Sequence, residues 1–116
     1  MLRTDGEMER ELRERMRDGN GTVTIKHLFQ QTELGGKARM VAEITLPPGA
    51  SIGFHQHDGE EELFYFISGH GRLNEDGRWQ DVKAGDASLT PGGHGHAIEN
   101  NGSEPLVLVA VILLYV

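Results

Sequence analysis

The chain contains no cysteine. Disulfides, thiolate nucleophiles and sulfur-ligated metals are therefore excluded, and any metal must be held by nitrogen and oxygen donors. Basic residues are scarce: eleven lysines and arginines stand against eighteen aspartates and glutamates, for a formal charge of −7. Binding a nucleic acid requires a basic footprint, so no nucleic-acid partner is expected. Long apolar runs are missing as well. The longest, Leu106 to Val116, falls well short of the roughly 20 residues that a spanning helix needs, so no membrane partner is expected. The opening MLRTDGEMERELRERM lacks the apolar centre of a signal peptide, which makes the cytoplasm the expected compartment. At 116 residues the length suits one domain. What the chain does have in quantity is glycine, 16 residues, four of which adjoin His70, His94 and His96.

Residues 7–17, EMERELRERMR, are rich in helix formers, and Met8, Leu12 and Met16 make one stripe at i, i+4, i+8. Thr4 with Glu7 has the form of a capping box, and Asp18 to Gly21 form a stop, so a short N-terminal helix is expected. From Thr22 onward the pattern changes to strands. TVTIKHLF is β-branched and aromatic, and ARMVAEITL alternates Met40, Ala42 and Ile44 with Arg39, Val41 and Glu43, until Pro47-Pro48-Gly49 ends it. The segments Leu63–Ile67 and Leu106–Tyr115 are apolar on both faces, so one face should line a core and the other should be covered by a second layer or a partner subunit. Asp76-Gly77 marks a hairpin turn, with Trp79 beside it as a packing anchor.

The chemistry gathers in Gly49 to Gly69, GASIGFHQHDGEEELFYFISG. His55 and His57 are two apart, so on an extended strand both rings leave the same face and can reach one ion. The DGEE segment that follows is rich in turn formers, and a reversal there brings Glu62 back over them. Two imidazoles and a carboxylate suit Mn, Fe, Ni, Co or Zn, a divalent transition metal of unspecified identity. His96, from the second glycine-rich stretch, is the best candidate for a fourth ligand. Taken alone, a His-x-His pair is more often two ordinary polar residues on a half-exposed strand.

These residues also stand at motif spacings. Gly49, His55, His57, Glu62 and Gly69 match G-x5-H-x-H-x(3,4)-E-x6-G, and Gly85, Pro91, Gly93, His96 and Asn100 match G-x5-P-x-G-x2-H-x3-N. The sequence thereby resembles the cupin superfamily, over about half its length. The resemblance implies an all-β fold, a double-stranded β-helix or jelly-roll barrel, preceded here by the short N-terminal helix. It divides the chain into a helical arm, 1–21, and a barrel domain, 22–116. It implies a metal held by His55, His57, Glu62 and His96 at the wider mouth of the barrel, and, together with the doubly apolar strands, a homodimer.

The family's activities include dioxygenases, oxalate decarboxylases, isomerases, lyases and simple binding domains, so the fold does not choose the reaction. Four protein ligands leave adjacent positions open on an octahedral metal, where a substrate can chelate. Phe64 and Phe66, on the Glu62 face, together with Met40 and Ile52, are expected to line an apolar substrate pocket. His94 is the candidate catalytic proton carrier. Arg39 and Arg72 are candidate anchors for a carboxylate, and His27 is expected on a strand at the surface or in the pocket wall. The leading expectation is an oxygenase or decarboxylase acting on a small metal-chelating organic acid. The alternative is a non-catalytic module that binds a metal or small ligand.

Overall fold

The computed structural model describes residues 1–116 and is built almost wholly from strands: β1 (Glu9–Glu14), β2 (Thr22–Phe29), β3 (Ala38–Leu46), β4 (Ser51–Gln56), β5 (Glu60–Ser68), β6 (His70–Glu75), β7 (Arg78–Lys83), β8 (Ala87–Thr90), β9 (Gly95–Glu99) and β10 (Leu106–Leu114). They form two antiparallel sheets, one of six strands in the order β1-β2-β3-β10-β5-β8 and one of four in the order β4-β9-β6-β7. No hydrogen-bonded ladder runs from one sheet into the other, so the expected all-β architecture is present without a closed barrel.

The alternation read from the sequence sets the core. Ala42 and Ile44 of β3, Phe64 and Phe66 of β5, and Leu106, Leu108 and Ala110 of β10 are buried on the inner face of the larger sheet, against Ile52, Leu73 and Ile98 of the smaller one. The other face of the same strands is different. Leu63, Tyr65, Ile67 and Leu113 are exposed there.

The N-terminal helix shrinks to one turn, Asp5–Glu7, closed by Thr4 and Glu7 as a capping box. Residues 9–14 are a strand instead of the helix expected over 7–17. The helical stripe offered one narrow row of apolar side chains, and an isolated helix of that length is marginal in water. Pairing with β2, in register from Glu9 opposite His27 to Glu14 opposite Thr22, satisfies the backbone instead. Leu12 is left 71% exposed, while Glu11 and Arg13 turn to the inner side, where they line a cavity.

Candidate metal centre

Three strands bring the four candidate donors together. His55 lies on β4 directly opposite His96 on β9. Glu62 lies on β5 opposite Thr90 on β8, and His57 follows the end of β4. The register between β4 and β9 shifts between Ile52 and His55. This bulge lets Ile52 and His55, three residues apart, face the same cavity.

The donor atoms of His55, His57, Glu62 and His96 all lie within 4.8 Å of one another. Glu62 Oε1 is 2.9 Å from His57 Nε2 and 3.0 Å from His96 Nε2, and the two Nε2 atoms are 3.1 Å apart. Each imidazole has its other nitrogen occupied on the outside. His55 Nδ1 bonds the Gly53 carbonyl at 2.8 Å, His57 Nδ1 the Glu60 carboxylate at 2.6 Å, and His96 Nδ1 the Thr90 hydroxyl at 2.8 Å. Such partners fix ring orientation and leave Nε2 as the inward donor, the outer shell expected of metal-binding histidines. The donor set thus fits a divalent transition metal: nitrogen and oxygen ligands, convergent, three of them almost fully buried.

The electrostatics agree with that fit at His55 and Glu62 and oppose it at His57, where a raised pKa favours the protonated ring. Burial pushes the His55 imidazole down to about 4, so it is neutral near pH 7, as a ligand must be. Burial pushes the Glu62 carboxyl up, but hydrogen bonds from His57 and His96 outweigh it and hold the group at about 2. The Glu62 hydrogen bond raises His57, with Glu60 adding to it. Glu60 itself is held low, first by Arg39. Phe64 stacks on the His96 ring at 4.8 Å between centroids.

Three of the donors, His55, His57 and Glu62, line a cavity of about 280 Å³; His96 is not part of its lining. Met40, Ile52 and Phe64 line it, with Ile25, Ile44 and Ile112. Phe66 does not. It is fully buried in the core, edge-on to Phe64 with 6.1 Å between centroids, because it stands two residues further along β5, beyond the cavity. His94 is also outside the cavity lining. It is exposed and bonds Asp76 Oδ2 at 2.6 Å. β9 begins only at Gly95, and His94 belongs to the preceding turn, where strand alternation does not hold. Arg39 lines the cavity and is gripped by Glu60, with both contacts at 2.9 Å. Arg72 lies on the other sheet, paired with Glu99 and stacked 4.4 Å over Trp79.

Other residues of the site were not singled out from the sequence. Thr90 lacks any motif position, Glu11, Arg13, Met16 and Arg17 were hidden by the helical reading of residues 7–17, and Gln31 lies in the turn after β2. The alternation of Glu11 and Arg13 was the available signal. His27 takes the pocket-wall position, 3.0 Å from Glu11 Oε1.

The comparisons bear on the whole assembly. The cupin-domain family model matches residues 42–112, which contain all four donors. An oxalate-binding protein of Thermotoga maritima is 42% identical over 99 residues, spanning 85% of this chain and 82% of that protein. The oxalate decarboxylase of Bacillus subtilis is 39% identical over 75 residues, 60% of this chain but only 20% of that longer enzyme. The crystal structure of a predicted oxalate decarboxylase from Thermotoga maritima superposes with a TM-score of 0.94 at 39% identity, covering 98% of this chain and 99% of that one. With the family model, the full-length structural match and both histidine motifs in agreement, the chain belongs to the cupin family.

Proposed function

We propose that this cupin is a metal-dependent, decarboxylase-type enzyme acting on a small metal-chelating organic acid, with oxalate the first substrate to test. The observation that carries the reading is the convergence of His55, His57, Glu62 and His96, three of which line a cavity whose wall combines apolar side chains such as Ile52, Phe64 and Ile112 with charged ones. A divalent metal held there supplies Lewis acidity toward a chelating carboxylate and, if Mn or Fe, a route for electrons. The protein's own part is positional. Glu60, Thr90 and the Gly53 carbonyl orient the three rings, while Phe64, Ile52 and Ile112 exclude water from one side of the bound acid. The names of the relatives support the substrate class.

A second reading, a protein that binds such an acid without turning it over, is favoured by one feature. The acid–base groups in and around the cavity wall are already engaged: His27 with Glu11, and Glu60, outside the lining, with both Arg39 and His57. Metal-loaded protein, Mn(II) and Fe(II) in parallel, is given oxalate while CO2 release and binding heat are followed. CO2 release above the metal blank supports the enzyme. Heat without CO2 leaves the binding protein.

The same reading includes two finer elements of architecture. The two sheets are the halves of a double-stranded β-helix over 22–116, with residues 1–21 as an arm that adds an edge strand. A second copy of the chain covers the outer face of β5 and β10, where cross-strand neighbours Tyr65–Val109 and Leu63–Val111 make an uncharged surface. Light scattering that finds only a 12.8 kDa species at micromolar concentration removes the homodimer. No helix is long and apolar enough to cross a membrane.

A further inference from the structure

The cavity is larger and more cationic than a two-carbon diacid requires. Its volume of about 280 Å³ corresponds to roughly nine waters at ~30 Å³ each, near the lower end of small-molecule pockets at ~300 Å³. Oxalate bound at the four donors would leave most of that space open. The remainder has an order to it. Next to the donors come Ile52, Phe64, Met40 and Ile112. From β1 and the β1–β2 connection come Arg13, Met16 and Arg17, the two arginines exposed where those apolar residues are buried or half-buried.

The arginines of this cavity differ in how they are satisfied. Arg39 is matched by Glu60 on both sides of its fork. Arg13 has one long contact, 3.4 Å to Glu11, which is already shared with His27. Arg17 makes no ion pair and no side-chain hydrogen bond, although the chain carries an excess of acidic residues. A protein of net charge −7 therefore presents surplus positive charge at the mouth of its own metal-donor cavity.

The connection that presents Arg17 is also held in an unfavourable backbone form. Arg15, Arg17 and Asp18 have φ of 45°, 55° and 62°, in the left-handed region that residues other than glycine seldom enter. Such strain persists only where surrounding contacts impose it, and it gathers at functional sites. The imposing contact is β4. A methyl group at Gly53 would lie 1.9 Å from the Arg17 carbonyl oxygen, so the connection rests directly on glycine backbone. Ser51 N–H bonds the Asn20 carbonyl at 2.8 Å and the Asn20 N–H bonds Ser51 Oγ at 2.8 Å, which pins it further. Gly53 is the same residue whose carbonyl orients His55. One backbone position thus sets both the unpaired guanidinium and an imidazole donor.

We propose that the cavity takes an extended diacid: a chelating 2-oxo acid or carboxylate head at the four donors, an apolar middle along Ile52, Phe64 and Met40, and a distal carboxylate received by Arg17 with Arg13. This rests on the reading that the four donors hold a metal which a carboxylate chelates. Arginine suits the role because its planar fork matches a carboxylate in two hydrogen bonds. Both residues are specificity determinants and take no part in bond making.

The test is calorimetric and does not depend on turnover. Full-length Mn(II)-loaded protein is titrated with oxalate, with 2-oxohexanoate and with 2-oxoadipate, the last two differing only at the far end. The expected result is that 2-oxoadipate binds about tenfold more tightly than 2-oxohexanoate, the increment of one good charge-assisted contact, and that the advantage shrinks as salt is raised. Arg17→Asn, chosen because asparagine tolerates the left-handed backbone, removes most of the advantage and leaves 2-oxohexanoate within about twofold, with metal content and melting temperature unchanged. Arg13→Gln reduces the advantage by less. If Arg17→Asn fails to fold, the wild-type ratio of the two acids, its salt dependence and Arg13→Gln still decide the matter. Equal affinity for the two long acids overturns the proposal, as does oxalate binding tightest with no dependence on Arg17. Oxalate decarboxylation without any distal-carboxylate advantage leaves the proposed function standing and sinks this inference. An Arg17-dependent advantage without CO2 release upholds the inference and sinks decarboxylation. No binding of any of the three overturns both.

Discussion

The floor and the mouth of the cavity are built on opposite principles. At the floor the polar groups are tightly partnered: three imidazoles each hold an outer hydrogen bond, and those of His57 and His96 share the Glu62 carboxylate within. The four donors come from β4 and its end, β5 and β9, and the His96 ring is stacked on Phe64. At the mouth, Arg13 and Arg17 are exposed and loosely paired or unpaired, on an edge strand and a short connection. The difference teaches where precision is needed. A metal demands ligand positions set to a few tenths of an ångström before it arrives, whereas a flexible ligand end can be met by mobile guanidiniums.

Substitutions at the two ends should therefore part company. The largest effect on the fold itself is expected at Phe64, fully buried beneath the His96 ring: Phe64→Ala should cost about 3–5 kcal/mol in denaturant unfolding, whereas Arg13→Gln at the mouth should stay within about 0.5 kcal/mol. Equal losses would erase the contrast. Next comes His57→Ala, which removes one of the four candidate donors. Metal affinity measured against a competing chelator should fall by more than about a hundredfold, since loss of an outer partner alone costs ~10–100-fold. An unchanged metal content in this variant would overturn the assignment of the site.

Thr90→Val sharpens the comparison inside the floor. It keeps the shape but removes the hydrogen bond to His96 Nδ1, so metal affinity should drop about tenfold with little change in stability. Affinity equal to wild type would mean that packing on Phe64 alone orients the ring. On the outer face of the same strand, Tyr65 is 48% exposed, and Tyr65→Ala should cost about 1 kcal/mol or less in the monomer, far less than Phe64→Ala one residue away.

The smallest effect lies away from the cavity, where Arg3 bonds Glu33 at 2.8 Å and clasps the N-terminal turn to the segment after β2. The Arg3 hydrogen bond, helped by the Gln30 N–H, holds the Glu33 carboxyl at about 2, below its ordinary 4.5. A carboxyl depressed on folding stabilises the protein above its unfolded value and loses that contribution as pH falls through the folded one. Melting curves of wild type and Glu33→Gln should differ slightly above pH ~5 and converge near pH 2, where the carboxylate is protonated. Solvent and salt screen this exposed pair, so a large difference at high salt would contradict the assignment.

Much of the site was legible beforehand because the information was local. His55 and His57 obey strand alternation, Glu62 follows a turn, and Met40, Ile52 and Phe64 lie on inward positions of strands that β-branched and aromatic residues mark plainly. Reading went astray where local and long-range preferences disagreed. Residues 7–17 have good helical propensity, yet β2 had an unpaired edge, and six ladder positions outweighed a narrow apolar stripe. That one error concealed Glu11, Arg13 and Arg17 together, since a helix would have carried them elsewhere. His94 and Phe66 failed for a smaller reason: alternation gives a direction but neither the end of a strand nor the depth of a cavity.

The amino-acid sequence by itself determined the strands, the apolar inner faces and the types and spacing of the donor side chains, because periodicity and turn chemistry act over a few residues. Only the tertiary structure decided that His96 stands opposite His55, that a bulge at Gly53 and Phe54 aims His55 into the cavity, and that the first strand brings arginines to the mouth. Those are outcomes of pairing between segments far apart in the chain, where the winner is whichever arrangement buries the most apolar surface and leaves the fewest backbone groups unpaired.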